Sequence, residues 1–282
     1  MTGNGDLAVK VKFTKMHGLG NDFVLINALH QEALPPPAPF CKSYSDRRFG
    51  IGFDQALILR PSKSADFKME IFNADGSNVE MCGNGIRCLA KYIWDRRLSD
   101  KRELTIETLA GIIRPVKEGD LIQVDMGEPI LDAPSIPVNL EGKVREYPLK
   151  ALDREFLITC VSMGNPHAII FVEDIQSFPV EKYGPVIENH PLFPKRINVE
   201  FVRITDRSNI YVRVWERGAG ETLACGTGAC ATAVAAHINS LADRKVTVHL
   251  SGGDLLIHWS DKDNHVYMTG PAVEVYTGEV TL

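Results

Sequence analysis

The sequence is short of several things, and each shortage removes a class of function. None of its six cysteines stand in a CxxC pair, which argues against a structural zinc site, so no metal is expected. Residues 1–12 lack the apolar stretch of a signal peptide and the Arg/Ser bias of a transit peptide. A secreted disulfide framework is therefore not expected, and the cytoplasm is the default expectation. The longest apolar runs, such as Ala168-Ile169-Ile170-Phe171-Val172, are too short to span a bilayer, so no membrane partner is expected. The basic residues form no long run and the formal net charge is −5, which argues against nucleic acid as a partner. Nothing resembles a lysine site for pyridoxal phosphate. What remains is a 282-residue chain of ordinary globular composition, long enough for a full core and for two domains.

What is present is a pair of unusual turns. Cys82-Gly83-Asn84-Gly85 opens one helical stretch and Cys225-Gly226-Thr227-Gly228 opens another. Each places a thiol at a helix N-terminus, where unpaired N–H groups and the helix dipole favour a thiolate or a bound carboxylate. The remaining cysteines, Cys41, Cys88, Cys160 and Cys230, are expected to be buried reduced thiols.

These turns belong to a longer repeat. Sliding the sequence by 143 or 144 residues brings Gly20-Asn21 onto Gly164-Asn165, Gln55 onto Asn198, and Ile71-Phe72-Asn73 onto Val214-Trp215-Glu216. The same shift brings Cys82-Gly83 onto Cys225-Gly226. A duplicated, strand-rich α+β unit with one principal helix explains the ordered matches. Strands are expected at residues 9–13, 24–27, 55–60 and 68–73 in the first copy and at 156–163, 168–172, 199–204 and 210–215 in the second. Further strands are expected at 246–250, 255–259, 266–269 and 273–281. Ile86, Leu89, Ala90, Ile93 and Trp94 recur at helical spacing, and the small apolar run 229–236 reads as a helix buried all round. The proline-rich stretch 34–39 reads as a stiff loop. The join is expected near Gly127-Glu128-Pro129, giving domains 1–127, with strand 271–282 returning to it, and 128–270.

The polar lining of the two turns differs. Glu216 can hold an ammonium and Arg217 a carboxylate in bidentate fashion. The polar segment from Asn73 to Gly85 suits a zwitterionic small molecule. An amino-acid α-hydrogen is a weak acid, so helix-terminal N–H groups aimed at the α-carboxylate would disperse the developing charge. A thiol suits the base, because a helix N-terminus can draw its pKa of roughly 8.5 toward neutrality. Inversion at carbon needs a base on one face and an acid on the other.

The chain resembles the diaminopimelate epimerase family over almost its whole length. The segments that carry this are Met16-His17-Gly18-Leu19-Gly20-Asn21-Asp22-Phe23, Asn73-Ala74-Asp75-Gly76-Ser77, Met81-Cys82-Gly83-Asn84-Gly85-Ile86-Arg87-Cys88, Gly164-Asn165-Pro166-His167, Trp215-Glu216-Arg217-Gly218 and Ala224-Cys225-Gly226-Thr227-Gly228. The resemblance implies two pseudo-symmetric domains, each a curled sheet around a central helix, and a homodimer. It implies cofactor-independent interconversion of LL- and meso-2,6-diaminopimelate in lysine and peptidoglycan-precursor synthesis. Cys82 and Cys225 would be the acid/base pair. Gly83-Asn84 and Gly226-Thr227 would present N–H groups to the reacting carboxylate, and Glu216 would hold the reacting ammonium. Asn21, Gln55, Asn73, Asn165, Asn198 and Arg217 would recognise the distal end, with Asp75 and His167 as polar groups near the thiols.

Other readings stay open at this point. Proline and hydroxyproline racemases use the same two-thiol logic, but usually carry His where Asn84 stands and need no second set of ligands. The phenazine-biosynthesis isomerase type lacks the cysteine pair. A non-catalytic redox or binding protein would instead join Cys82 to Cys225 in a disulfide.

Overall fold

The computed structural model describes residues 10–30, 34 and 36–282. It divides into two compact units, the described residues up to Ile122 together with Pro271–Leu282, and Gln123–Gly270. The division falls ahead of the Gly127 turn because the backbone there is already laddered: Met126 N–H donates to Val266 O at 2.8 Å, and Val266 N–H donates to Gly127 O at 2.9 Å.

The first unit contains β1 (Lys10–Gly18), β2 (Asn21–Asn27), α1 (Pro37–Tyr44), β3 (Gln55–Arg60), β4 (Phe67–Asn73), β5 (Asn78–Val79), α2 (Gly83–Asp95), β6 (Ile106–Thr108) and β7 (Gly111–Ile113). The chain then passes through β8 (Val116–Glu118) and β9 (Leu121–Asp125). Next come β10 (Tyr147–Ala151), β11 (Arg154–Ser162), β12 (Pro166–Phe171), α3 (Val180–Glu188), β13 (Asn198–Asp206), β14 (Asn209–Glu216), β15 (Gly220–Thr222) and α4 (Gly226–Ile238). Strands β16 (Lys245–Leu250), β17 (Gly253–Trp259) and β18 (Val266–Gly270) complete the second unit, and β19 (Val273–Thr281) belongs to the first.

The sequence repeat is a repeat of topology. The first sheet runs β19-β1-β2-β3-β4-β6-β7, and the second runs β10-β11-β12-β13-β14-β16-β17 before continuing to β18 and β9. Parallel pairs fall at matching places, β2/β3 and β4/β6 in one unit, β12/β13 and β14/β16 in the other. Even the register agrees: Phe23 lies opposite Gln55, and His167 opposite Asn198. The turns into β2 and β12 use the same device, glycines with positive φ at Gly20 (90°) and Gly164 (94°), a conformation that a Cβ disfavours.

Each sheet curls around one helix. On α2, Ile86, Leu89, Ala90 and Ile93 are buried. Helix α4 is buried almost all round, and it touches β11 to β14 and β16 to β18, because its small side chains let strands approach from many sides. The second core adds a cluster in which Phe178 and Phe201 lie 4.5 Å apart between ring centroids. Burial of Phe201 alone contributes about 2–3 kcal/mol.

The strands expected at 55–60, 68–73, 156–163, 199–204 and 210–215 lie within two residues of the observed bounds. The strand expected at 9–13 runs from Lys10 to Gly18, and Val9 lies outside the described residues. The proline-rich stretch departs from expectation. Pro35 lies outside the described residues, but α1 starts at Pro37. Prolines are tolerated in a first turn because its N–H groups have no intrahelical partner. Each unit also has a second helix that was not expected, α1 or α3, placed between equivalent strands. Gly184 on α3 faces Trp215, whose ring would lie 2.6 Å from an added Cβ.

Candidate active site

The two thiols occupy equivalent places. Cys82 is extended (φ −139°, ψ 113°), and its carbonyl accepts the first helical bond of α2 from Ile86 N–H at 2.9 Å. Cys225 is also extended (φ −117°, ψ 111°), and its carbonyl accepts from Ala229 N–H at 3.0 Å. Both helices therefore begin on the residue after the thiol, and Gly83-Asn84 and Gly226-Thr227 supply first-turn N–H groups.

In the first unit the Cys82 Sγ donates to Asn21 Oδ1 at 3.7 Å, and Asn84 Nδ2 donates to the same oxygen at 3.2 Å. The Asn21 amide is oriented from its other end, where Nδ2 donates to Asp54 Oδ2 at 3.0 Å. Asn84 Oδ1 accepts from the fully buried Arg87 at 2.8 Å, and Arg87 also bonds the carbonyls of Gly83 and Pro271. Gln55 and Asn73 form a cross-strand pair, Nε2 to Oδ1 at 2.9 Å. Gln55 Oε1 is buried with no hydrogen-bond partner among the described residues. Asp75 is exposed, and its carboxylate takes the N–H and Oγ of Ser77 within the turn, which holds its pKa below the ordinary carboxylate value. The geometry makes Asp75 a turn former.

In the second unit Cys225 Sγ accepts from Gly228 N–H and meets Thr227 Oγ1, both at 3.4 Å. Thr222 Oγ1 donates to Glu216 Oε1 at 2.5 Å. His167 is fully buried, with Nδ1 2.7 Å from Glu200 Oε1 and Nε2 3.0 Å from Asn165 Oδ1. Both ring nitrogens of His167 thus face side-chain oxygens. Asn198 Nδ2 donates to Pro166 O, and its Oδ1 accepts from Arg217 N–H, both at 2.9 Å. The exposed Arg217 guanidinium reaches Lys195 O at 2.9 Å.

One expectation is reversed. Burial pushes the Cys225 thiol well above its ordinary value, and the carboxylates of Glu216 and Glu200 push it further. The Thr227 hydroxyl and Gly228 N–H act the other way and are outweighed. Burial likewise raises the Glu216 carboxyl, against the Thr222 hydrogen bond. The four other cysteines are buried; burial takes Cys41 to about 11 and Cys88 to about 12.

The sequence reading missed the residues behind this lining. Arg87 and Glu200 are fully buried, and Glu188 ties Trp215 Nε1 and Gly218 N–H at 2.8 and 2.9 Å. Glu200 left a signal, a lone carboxylate between Val199 and Phe201 in an apolar strand. Among the described residues no group of three His, Cys, Asp or Glu is placed to hold a metal ion. No helix there is long and apolar enough to cross a membrane.

Solved structures with this architecture include a PhzF-family phenazine biosynthesis protein from Bacillus anthracis. Its TM-score is 0.70 at 18% identity, covering 97% of this chain and 99% of that one. A hydroxyproline epimerase from Agrobacterium vitis gives 0.69 at 12% identity, covering 97% and 93%. Such identities establish the scaffold alone, the two-unit diaminopimelate epimerase-like fold. Sequence narrows it. The diaminopimelate epimerase family model matches residues 13–131 and 159–275. A diaminopimelate epimerase from Acetivibrio thermocellus is 55% identical over 278 residues, covering 96% of this chain and 99% of that protein. The chain belongs to the diaminopimelate epimerase family, and it is an isomerase.

Proposed function

We propose that this chain interconverts LL- and meso-2,6-diaminopimelate by proton transfer between Cys82, Cys225 and the α-carbon, without a cofactor. One observation carries the reading: two cysteine-capped helix starts sit in equivalent register of a duplicated fold, while the polar groups around them have diverged. In the forward step one thiolate takes the α-proton, forming S–H as the C–H bond breaks and leaving its electron pair delocalised into the carboxylate. The opposite thiol then delivers its proton to the other face. First-turn N–H groups at Gly83-Asn84 and Gly226-Thr227 disperse the carbanion charge. Glu216 holds the reacting ammonium.

Asn21, Gln55, Asn73, Asn165, Asn198 and Arg217 hold the distal amino-acid end. Gln55 Oε1, without a partner among the described residues, supports this, since a buried acceptor without a donor is costly unless a ligand ammonium supplies one. His167, bonded to Asn165 and Glu200, stands near the reacting end. We place the reaction in lysine and peptidoglycan-precursor synthesis in the cytoplasm. We read the working form as a homodimer, for which the exposed apolar side chains of β19, Val273, Val275 and Tyr276, give a surface.

Incubation of reduced protein with LL-diaminopimelate, followed by chiral chromatography, tests the reading. Accumulation of the meso isomer is expected, with no turnover of L-proline or trans-4-hydroxy-L-proline. Turnover of the cyclic amino acids alone would transfer the chain to the racemase reading.

A further inference from the structure

The two halves share a backbone plan but carry opposite buried charges behind their thiols. With Gln55 equivalent to Asn198, Leu57 is the equivalent of Glu200, and Arg87 is the equivalent of Cys230. An added Cβ at Gly85 would meet Leu57 Cδ2 at 3.2 Å, whereas at Gly228 it would meet Glu200 Oε1 at 2.6 Å. Thus an apolar side chain underlies the start of α2 and a carboxylate underlies the start of α4. Glu200 is fully buried, and its Oε2 has no hydrogen-bond partner among the described residues. Its Oε1 faces His167, and its neighbour Gly228 donates to Cys225 Sγ.

We propose that Glu200 is a positioning residue that makes Cys225 the proton-holding member of the pair, so that the first proton leaves Cys82 and the resting base lies in the first unit. This rests on the reading of the two thiols as the acid/base pair.

The charges facing each thiol support the order. Around Cys225 stand Glu216 from β14, Glu200 from β13 and His167 from β12, with the Thr227 and Gly228 donors of α4 itself. Burial and both carboxylates resist ionisation there. A substrate ammonium at Glu216 would cancel one carboxylate and leave Glu200 in place. Around Cys82, Asn21 Oδ1 accepts from the thiol, a bond that by itself favours the protonated form, whereas the buried charge behind Asn84 is the Arg87 cation, which favours the thiolate. Asp54 and Asp22 lie beyond Asn21, engaged by Arg47 and Lys15, and Glu80 is exposed.

After a turnover begun by Cys82, that residue holds the substrate proton as a thiol and Cys225 is a thiolate. Solvent water returns the pair to rest by accepting one proton from Cys82 and donating one to Cys225, with no net change.

The test is carbamidomethylation of the substrate-free protein by iodoacetamide across pH, with each cysteine followed by peptide mass spectrometry. The midpoint of each rate profile reports ionisation independently of how accessible the sulfur is. The Cys82 midpoint is expected about one pH unit or more below that of Cys225. In Glu200→Gln the Cys225 midpoint is expected to fall by about one unit while Cys82 stays, and Glu200→Asp, which keeps the charge, should hold it high. Equal or reversed midpoints would overturn the proposal, as would an unmoved Cys225 midpoint in folded E200Q. Should E200Q not fold, the order in the unaltered protein decides. No substrate is used, so failure here leaves the epimerase reading standing, and failure of epimerisation leaves the midpoints as they are.

Discussion

Gly228 and Glu200 fill one space: a Cβ on Gly228 would lie 2.6 Å from the carboxylate oxygen Oε1. The carboxylate is fully buried and held by His167, so it has little room to yield. Gly228→Ala is therefore expected to cost about 1–3 kcal/mol of stability and to disturb the Cys225 turn. Gly164→Ala has only backbone strain to bear, because nothing lies within 4 Å of its Cβ position. Urea midpoints and epimerase rates of the two variants check this: G228A should lose activity more steeply than stability, and equal effects would contradict it.

The network behind Asn21 gives a pH prediction. Burial pushes the Asp22 carboxyl up, but Arg47 and Lys15 outweigh it and hold it well below the ordinary range. Its contribution to stability is present in full above the unfolded value of about 3.9 and is lost as pH falls through the lowered native value. Asp22→Asn leaves Lys15, which is 8% exposed, without its carboxylate partner and is expected to cost about 3 kcal/mol near neutrality. Denaturant titrations from pH 7 to about 2 should show the gap between wild type and D22N narrowing toward the acid end. A gap that widens would contradict the sign.

The residues proposed to hold the distal end should act on binding. Removing the Gln55 or Asn73 amide by substitution with Ala leaves its cross-strand partner, now 2.9 Å away, without that bond. An increase in KM for diaminopimelate of about tenfold or more is expected, with a smaller change in kcat. Arg217→Lys, which cannot grip a carboxylate bidentately, should behave likewise. Steady-state kinetics decide it, and a fall in kcat at constant KM would move these residues from recognition to chemistry.

How far the sequence carried the site depends on the kind of signal. Cys82 and Cys225 were legible because a thiol followed by glycine-rich turns is rare and occurred twice in register. The strands of the repeat were legible because their apolar runs are long. Helix α1 was not, since its start at Pro37 reads as a breaker unless the position falls in a first turn. The ionisation of Cys225 was misjudged for a tertiary reason. The helix N-terminus is local and visible, whereas the burial and the carboxylates of Glu216 and Glu200 that outweigh it come from β14 and β13. Arg87 gave no sign, because a cation on a helix is ordinarily exposed, and its partners at Gly83, Asn84 and Pro271 appear only in the fold.

The central claim, that two thiols exchange protons with one α-carbon, is tested most directly by hydrogen exchange in heavy water. Reduced protein is incubated with LL-diaminopimelate in D2O, and deuterium at the α-carbon is followed by NMR alongside isomer composition. The account predicts deuterium incorporation that accompanies interconversion, with interconversion abolished in both Cys82→Ala and Cys225→Ala. Interconversion that continues in either variant, or a wild-type protein that exchanges no α-hydrogen, would contradict it.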